Sequence, residues 1–333
     1  AAMLGLYWKD KVSAADKDTI TWGAVDPTWS PDGKELAFSL FGGIWRVPAE
    51  GGEAVQVTSS SGYHAHPAWS PKGDWIAFVR GNPPGGRIPN VSGNLVLVNP
   101  RTGEEKEMST PEPVAGTLAW SPDATRLAVP LRAADISVLL REVDIATGKI
   151  TPIQVVPQNL SRGSAWIDTA WDARHNEVLF TAMRAAPPPQ AAHLRWTGAT
   201  QVWSTKPAGL PMVVQVPLTR YKPGDIALLD RISAFPDGSG FVLSAVVVNG
   251  KGDYELYRVP RGGGVPVPIT NTPRDEFSPA VSPDGKLIAH VSNHMGNVDL
   301  FTMPAAGGGE KKHVRITNLK FRGPSAKLRV RTV

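Results

Sequence analysis

The stretch TWSPDGKELAFS at residues 28–39 decides the fold, because variants of it recur along the chain. In Ser-Pro-Asp-Gly, proline presets φ for a turn, aspartate bonds its own backbone, and glycine accepts a positive φ. The flanking residues have the apolar runs and the length of β-strands. The motif therefore predicts a β-hairpin, and its further copies are AWSPKGDWIAFV (68–79), AWSPDATRLAVP (119–130), AWDARHNEVLFT (170–181), SAFPDGSGFVLS (233–244) and AVSPDGKLIAHV (280–291).

A second signature follows each copy, and its first instance is IWRVPAEGGEAVQVT at 44–58. It reads as a strand, a glycine-containing turn and another strand. A repeated unit of four strands is typical of a propeller blade. The sequence therefore predicts an all-β fold, a six-bladed β-propeller of four-stranded antiparallel blades. We expect an N-terminal segment at 1–24, a propeller at 25–318 and a basic C-terminal strand or linker at 319–333, with blades at about 25–60, 61–110, 111–155, 156–218, 219–270 and 271–318.

Tryptophan occupies the same repeat position in four of the copies, as Trp29, Trp69, Trp120 and Trp171. Large side chains at equivalent positions of neighbouring blades are expected to fill the space between the sheets. Packing in the core is therefore the predicted role of these residues.

The composition restricts the class of protein. Apolar residues make up 41% and charged residues 20% of the 333 residues, which is ordinary for a globular chain. No stretch approaches the roughly 20 apolar residues of a membrane helix. The absence of cysteine excludes disulfides and thiolate metal sites. The net charge of +5 is concentrated in 310–333, which lacks the interleaved aromatic residues of a nucleic-acid groove, so no nucleic-acid partner is expected.

The repeat resembles that of the TolB-like six-bladed β-propellers, over about 25–317. That family includes translocation proteins, peptidase gating domains and accessory domains of enzymes. The segment 18–58 and the closing AKLRVRTV at 326–333 are most similar to the N-terminal propeller of secreted amidohydrolase-type proteins. This resemblance implies a periplasmic or secreted location and a covalently linked C-terminal hydrolase domain with its own metal.

Polar residues are predicted at the mouth of the central channel, where each inter-blade link enters the innermost strand. Asp and His from different blades could hold a divalent cation or a small polar ligand there. The simpler interpretation, which the mixed residue types favour, is that these residues line a wet channel. The ligand-binding candidates are Asp26, His64, His66, Asp168, Asp230, Arg231 and Glu276, with Thr117 and Ser278 at related positions.

No catalytic motif is present: the sequence has no G-x-S-x-G elbow, no H-E-x-x-H and no phosphate loop. We therefore assign no catalytic residue and expect that this chain is not catalytic by itself. Two long insertions, 81–93 and 184–200, fall in strand 2–3 loops and decorate one rim. The predicted function is a scaffold that docks a protein partner or gates a linked hydrolase through that rim. The alternatives are a stand-alone hydrolase with a metal or small-ligand site in the channel, and a TolB-like envelope scaffold.

Overall fold

The computed structural model describes most of the repeat region. The described residues are 23–82, 91–134, 138–153, 166–183, 200–205, 212–214, 227–247, 254–261, 267–293, 298–307 and 314–315. Over these residues the fold is all-β, with 24 strands and no helix. The two terminal segments and most of both insertions lie outside the described residues.

The first three blades each take four consecutive strands. Blade 1 contains β1 (Val25–Trp29), β2 (Glu35–Leu40), β3 (Gly43–Pro48) and β4 (Val55–Gln56). Blade 2 contains β5 (Tyr63–Trp69), β6 (Ile76–Gly81), β7 (Gly93–Val98) and β8 (Glu105–Met108). Blade 3 contains β9 (Ala119–Trp120), β10 (Arg126–Arg132), β11 (Val138–Asp144) and β12 (Ile150–Pro152).

The last three blades repeat the arrangement. Blade 4 contains β13 (Thr169–Asp172), β14 (Glu177–Met183), β15 (Thr200–Thr205) and β16 (Met212–Val214). Blade 5 contains β17 (Ala227–Ala234), β18 (Gly240–Val247), β19 (Tyr254–Pro260) and β20 (Val267–Pro268). Blade 6 contains β21 (Glu276–Val281), β22 (Leu287–Ser292), β23 (Asp299–Pro304) and β24 (Val314–Arg315).

Each blade is a separate sheet whose strands pair with their sequence neighbours, antiparallel throughout. The predicted fold class is therefore confirmed. The ring closes by the packing of blade 1 on blade 6, where Trp29 and Phe38 share a core with Ala289 and Leu300. The Trp29 indole Nε1 also donates a 2.9 Å hydrogen bond to the Ala280 carbonyl of blade 6.

The repeated tryptophans pack between neighbouring blades, as predicted. Trp69 lies in one core cluster with Ala37 and Ile44 of blade 1. Trp120 packs against blade 2 and donates a 2.9 Å hydrogen bond to the Ala68 carbonyl. These side chains therefore hold adjacent sheets in a fixed relation around the axis.

The Ser-Pro turns form the hairpins that the sequence predicts. In blade 1 the Ser30 hydroxyl donates to Asp32 Oδ1 at 2.6 Å, and the same carboxylate accepts the Lys34 amide. The Ser30 hydroxyl also accepts the Glu35 amide, and Gly33 adopts a φ of 71°. The polar groups of the turn residues thus hydrogen-bond one another within the turn. The turns are therefore short, and the rim of the propeller that they form is regular.

The innermost strands carry a bulge that the repeat pattern does not reveal. In blades 1, 2, 5 and 6 the pairing with the second strand shifts by one residue. The bulged residues adopt a left-handed conformation that is unfavourable for side chains other than glycine. They are Asp26 (φ 53°), His66 (φ 56°), Arg231 (φ 47°) and Ser278 (φ 52°).

Candidate functional site

A central cavity of about 490 Å³ runs between the six innermost strands. Its walls combine apolar and polar surface, and its lining includes Trp29, Trp69, Trp120 and Trp171. At one end the lining residues are exposed and come from the turn between the first two strands of each blade. The cavity therefore opens on the rim formed by these turns, which we call the turn rim. The residues of this mouth are Pro31, Pro71, Pro122, Ala173, Pro236 and Pro283.

The floor of the cavity is built at one repeat position, three residues before the tryptophan position. That position holds a polar residue in every blade, aspartate in two of them and four other types in the rest, and five of the six residues are buried. The six residues are Asp26, His66, Thr117, Asp168, Arg231 and Ser278. We call this set the floor ring.

Arg231 is the centre of the floor ring. Its Nε donates to Asp26 Oδ1 at 2.8 Å, and one terminal nitrogen donates to Asp168 Oδ1 at 2.6 Å. Its backbone amide donates to the second Asp168 oxygen at 3.2 Å. The side chain is 8% exposed, against 6% for Asp26 and 4% for Asp168. A buried guanidinium thus joins blades 1, 4 and 5 across the channel.

His66 extends the network to blade 2. Its Nδ1 lies 2.7 Å from Asp26 Oδ2, and its Nε2 accepts the Val91 amide at 3.1 Å. Because Nε2 accepts a hydrogen bond, the proton of the neutral ring lies on Nδ1 and points to the carboxylate. Burial lowers the pKa of His66, and Asp26 only partly offsets that effect. His66 is therefore a neutral imidazole with both nitrogens engaged.

Asp26 is held as a carboxylate despite its burial. Burial on its own raises the pKa of this carboxyl, but the charge and hydrogen bond of Arg231 and the hydrogen bond of His66 lower it well below its usual range. The Ser278 hydroxyl of blade 6 adds a 3.2 Å hydrogen bond to Oδ1. Blades 1, 2, 4, 5 and 6 therefore meet in one connected polar network.

The sixth residue of the floor ring, Thr117, bonds to blade 4 instead. Its hydroxyl accepts the Thr169 amide at 2.7 Å, and the Thr169 hydroxyl donates to the Thr117 carbonyl at 2.7 Å. The backbones approach closely here, with a parallel bridge between Gly116 and Ile167. This contact holds blade 3 to blade 4 without a charged group.

The remaining sequence candidates do not join this network. His64 bonds the Thr58 hydroxyl at 2.8 Å and contacts the Phe78 ring at its edge, inside blade 2. Glu276 is buried and accepts the hydroxyls of Thr272 and Ser292, at 2.6 Å and 3.1 Å. His64 and Glu276 each stand two residues before a bulged residue, which is His66 or Ser278 respectively. The bulge turns only the bulged residue toward the channel. The side chain of Asp230 lies outside the described residues.

The floor ring does not fit a divalent cation. Asp26, His66 and Asp168 are the residue types that bind such ions, but the Arg231 guanidinium lies among them and bonds both carboxylates. A metal at this point would stand beside a buried positive charge and would have to displace it. The polar groups of the floor ring bond mainly to one another.

A second group of ligand-type atoms lies at the blade 4 turn, where the sequence departs from Ser-Pro-Asp-Gly. Atoms of Asp172, His175 and Glu177 lie within 4.8 Å of one another. Arg261 of blade 5 ion-pairs with Asp172 and Glu177, and its Nε lies 2.8 Å from His175 Nδ1. These side chains therefore join blades 4 and 5, and the Arg261 guanidinium occupies the place that a metal ion would take among them.

Sequence reasoning missed Trp166, which packs against the floor ring. Its ring contacts His66 with centroids 4.9 Å apart and lies 5.7 Å from the Arg231 guanidinium carbon. Its indole Nε1 donates to Asp168 Oδ1 at 3.0 Å. Trp166 stands in the link before blade 4 and has no tryptophan at the equivalent place in other blades, so no repeat signal identifies it.

Comparison with solved structures agrees with this geometry. TolB from Acinetobacter baumannii superposes with a TM-score of 0.56 and 14% sequence identity, covering 85% of this chain and 61% of that one. The fold is shared with TolB. The chain thus spans less than two thirds of the length of that protein.

Enzymes share the fold as well. Oligogalacturonate lyase in complex with manganese matches with a TM-score of 0.53 and 18% identity, over 89% of this chain and 78% of the lyase. Tricorn protease matches with a TM-score of 0.59 and 15% identity, over 91% of this chain and 27% of the protease. No family model matches the sequence. At these identities the likeness establishes the propeller fold and leaves the activity open.

Proposed function

We propose that the chain is a non-catalytic β-propeller module that binds a protein partner. One observation carries the proposal: the ionisable groups at the centre of the propeller are ion-paired or hydrogen-bonded to one another. Arg231 pairs with Asp26 and Asp168, and both ring nitrogens of His66 are engaged. A general base must take up a proton, and Arg231 and the hydrogen bond from His66 hold the pKa of Asp26 well below its usual range. A metal ligand at this point would stand beside the Arg231 guanidinium.

The partner that fits the resemblance is a covalently linked C-terminal hydrolase domain of the amidohydrolase type, in a periplasmic or secreted protein. The docking surface is the rim that carries the insertions 81–93 and 184–200. Part of this rim closes the floor of the cavity, through Trp166 and the Val91 amide. In the described part of the chain, no helix is long and apolar enough to cross a membrane.

The intact mass of the protein from its native source tests the linkage. A mass well above the 35.6 kDa of this chain supports the linked domain. The downstream segment, expressed separately, then provides the binding partner for calorimetry with the propeller.

Shortening 184–199 to a glycine-containing turn is expected to weaken that binding at least about tenfold, since loops on one rim would supply the contacts. Lys286→Ala, an exposed change on the opposite turn rim, is the matched control and should leave binding unchanged. Equal affinities for the two variants would contradict the rim assignment. A mass of 35.6 kDa with no associated chain would contradict the linked domain.

A further inference from the structure

The cavity has an unbalanced charge at its floor. Two carboxylates, Asp26 and Asp168, face one guanidinium, Arg231, while His66 is neutral. The formal charge of these three side chains is therefore −1. Asp168 lies behind Arg231 and does not line the cavity. Among the described residues that do line it, Asp26, His66 and Arg231 are the ionisable ones, so the described walls add no charge to this sum.

Asp26 keeps an acceptor position for a ligand. A carboxylate has about four lone-pair sites, and Asp26 receives three donors, from Arg231 Nε, the Ser278 hydroxyl and His66 Nδ1. Its side chain is 6% exposed and lines the cavity. The Ser278 oxygen beside it can accept a further hydrogen bond. A donor group that reaches the floor therefore finds acceptors and a negative potential together.

The walls suit a compact apolar body. Prolines, alanines and the four repeated tryptophans surround the space between mouth and floor. Aromatic walls also favour a cation over an anion, because the negative face of an indole attracts positive charge. The cavity volume of about 490 Å³ is within the range of small-molecule sites.

We infer that this cavity is a binding site for a small organic cation, a protonated amine on a compact apolar body, which enters from the turn rim. The ammonium lies at the floor beside Asp26, and the body contacts the tryptophan and proline walls. A bound monocation brings the floor to neutrality, which an anion or an alcohol cannot do. This site lies on the rim opposite the proposed docking surface and does not depend on a protein partner.

The test is calorimetry of the full chain with three probes of one shape, namely benzylammonium, benzyl alcohol and benzoate. We expect saturable binding of benzylammonium, at least about tenfold tighter than that of benzyl alcohol, and the weakest binding for benzoate. Absence of saturable benzylammonium binding up to about 10 mM would overturn the inference. So would equal or tighter binding of benzoate, which would assign the cavity to anions through Arg231.

A pair of mouth variants locates the binding without disturbing the floor. Ala173 is exposed and lines the mouth, so Ala173→Glu and Ala173→Lys place opposite charges there on a side chain free of core packing. At low salt we expect Ala173→Glu to tighten benzylammonium binding by about two- to threefold and Ala173→Lys to weaken it by the same factor. High salt should remove both effects. Identical affinities for both variants at low salt would place the binding elsewhere and refute the site.

Discussion

Arg231→Met is the perturbation that bears most directly on the floor ring. Methionine keeps much of the length and apolar volume of arginine but removes the cation. Asp26 and Asp168, whose side chains are 6% and 4% exposed, then lose the partner that lies 2.8 Å and 2.6 Å from their oxygens. Two carboxylates are left in a buried place, with only neutral donors.

Removing one partner of a buried ion pair typically costs about 3–5 kcal/mol, because the remaining charge stays desolvated. We expect Arg231→Met to lower the free energy of unfolding by about this amount, measured by urea denaturation at pH 7. Arg258→Met is the control: Arg258 lies over the Phe235 ring and donates to Ser239 near the surface, and its loss should cost less than about 1 kcal/mol.

Acidification gives a second result from the same variant. In the wild type the lowered pKa of Asp26 contributes stability above its ordinary value of 3.8, and this contribution is lost as the pH falls through the lower folded value. Without Arg231, burial is the dominant effect and raises the pKa of Asp26. Protonation of Asp26 then removes a buried charge and stabilises the variant. The stability gap between wild type and Arg231→Met should therefore narrow as the pH falls toward 4. A gap that is below about 1 kcal/mol at pH 7, or that does not change with pH, would refute the reasoning.

Three further predictions concern the blades. Trp69→Ala should cost about 3–5 kcal/mol in urea unfolding, since the side chain is 7% exposed between blades; a loss below about 1 kcal/mol would contradict that packing role. Burial, and secondarily the charge of Glu255, raises the pKa of Glu276 to about 8, so wild-type stability should fall as the pH rises from about 5 to 8. Glu276→Gln should remove that slope, and an unchanged slope would exclude Glu276 as its source. A Cβ on Gly116 would lie 1.9 Å from the Ile167 carbonyl oxygen. Gly116→Ala should therefore lower the melting temperature well beyond Gly148→Ala, whose Cβ meets nothing within 4 Å and whose φ of 71° costs alanine only about 1 kcal/mol.

The fold could be read from the sequence because its signals are local and repeated. Proline, aspartate and glycine at fixed offsets specify the first hairpin of each blade, and the tryptophan position marks the surface between sheets. Each copy supports the others, so even the turn of blade 4, which lacks Ser-Pro-Asp-Gly, is recognisable from its place in the series. The outer strands follow from the same periodicity.

The site was only partly predictable, for two physical reasons. Alternation along a strand assigns His64 and His66 to one face, but a bulge at His66 separates them, and nothing in the repeat announces that bulge. Pairing across the channel joins residues from different blades, such as Asp26 and Arg231, which are distant in sequence. The sequence named both residues as candidates, yet their charges could have served a metal equally well. The 2.8 Å distance between Arg231 Nε and Asp26 Oδ1 shows that the two charges pair with each other, which argues against a metal site.

The protonation state of His66 tests the central claim most directly, that the floor ring is a locked structural network. Nitrogen-15 NMR of labelled protein, with the His66 signals assigned from the spectrum of His66→Asn, reports the tautomer and its titration. The account predicts a neutral ring protonated at Nδ1 whose pKa lies below its ordinary value of 6.5, because burial disfavours the charged ring. A ring that titrates near its ordinary value of 6.5, or whose nitrogen signals shift on addition of a divalent metal, would contradict it.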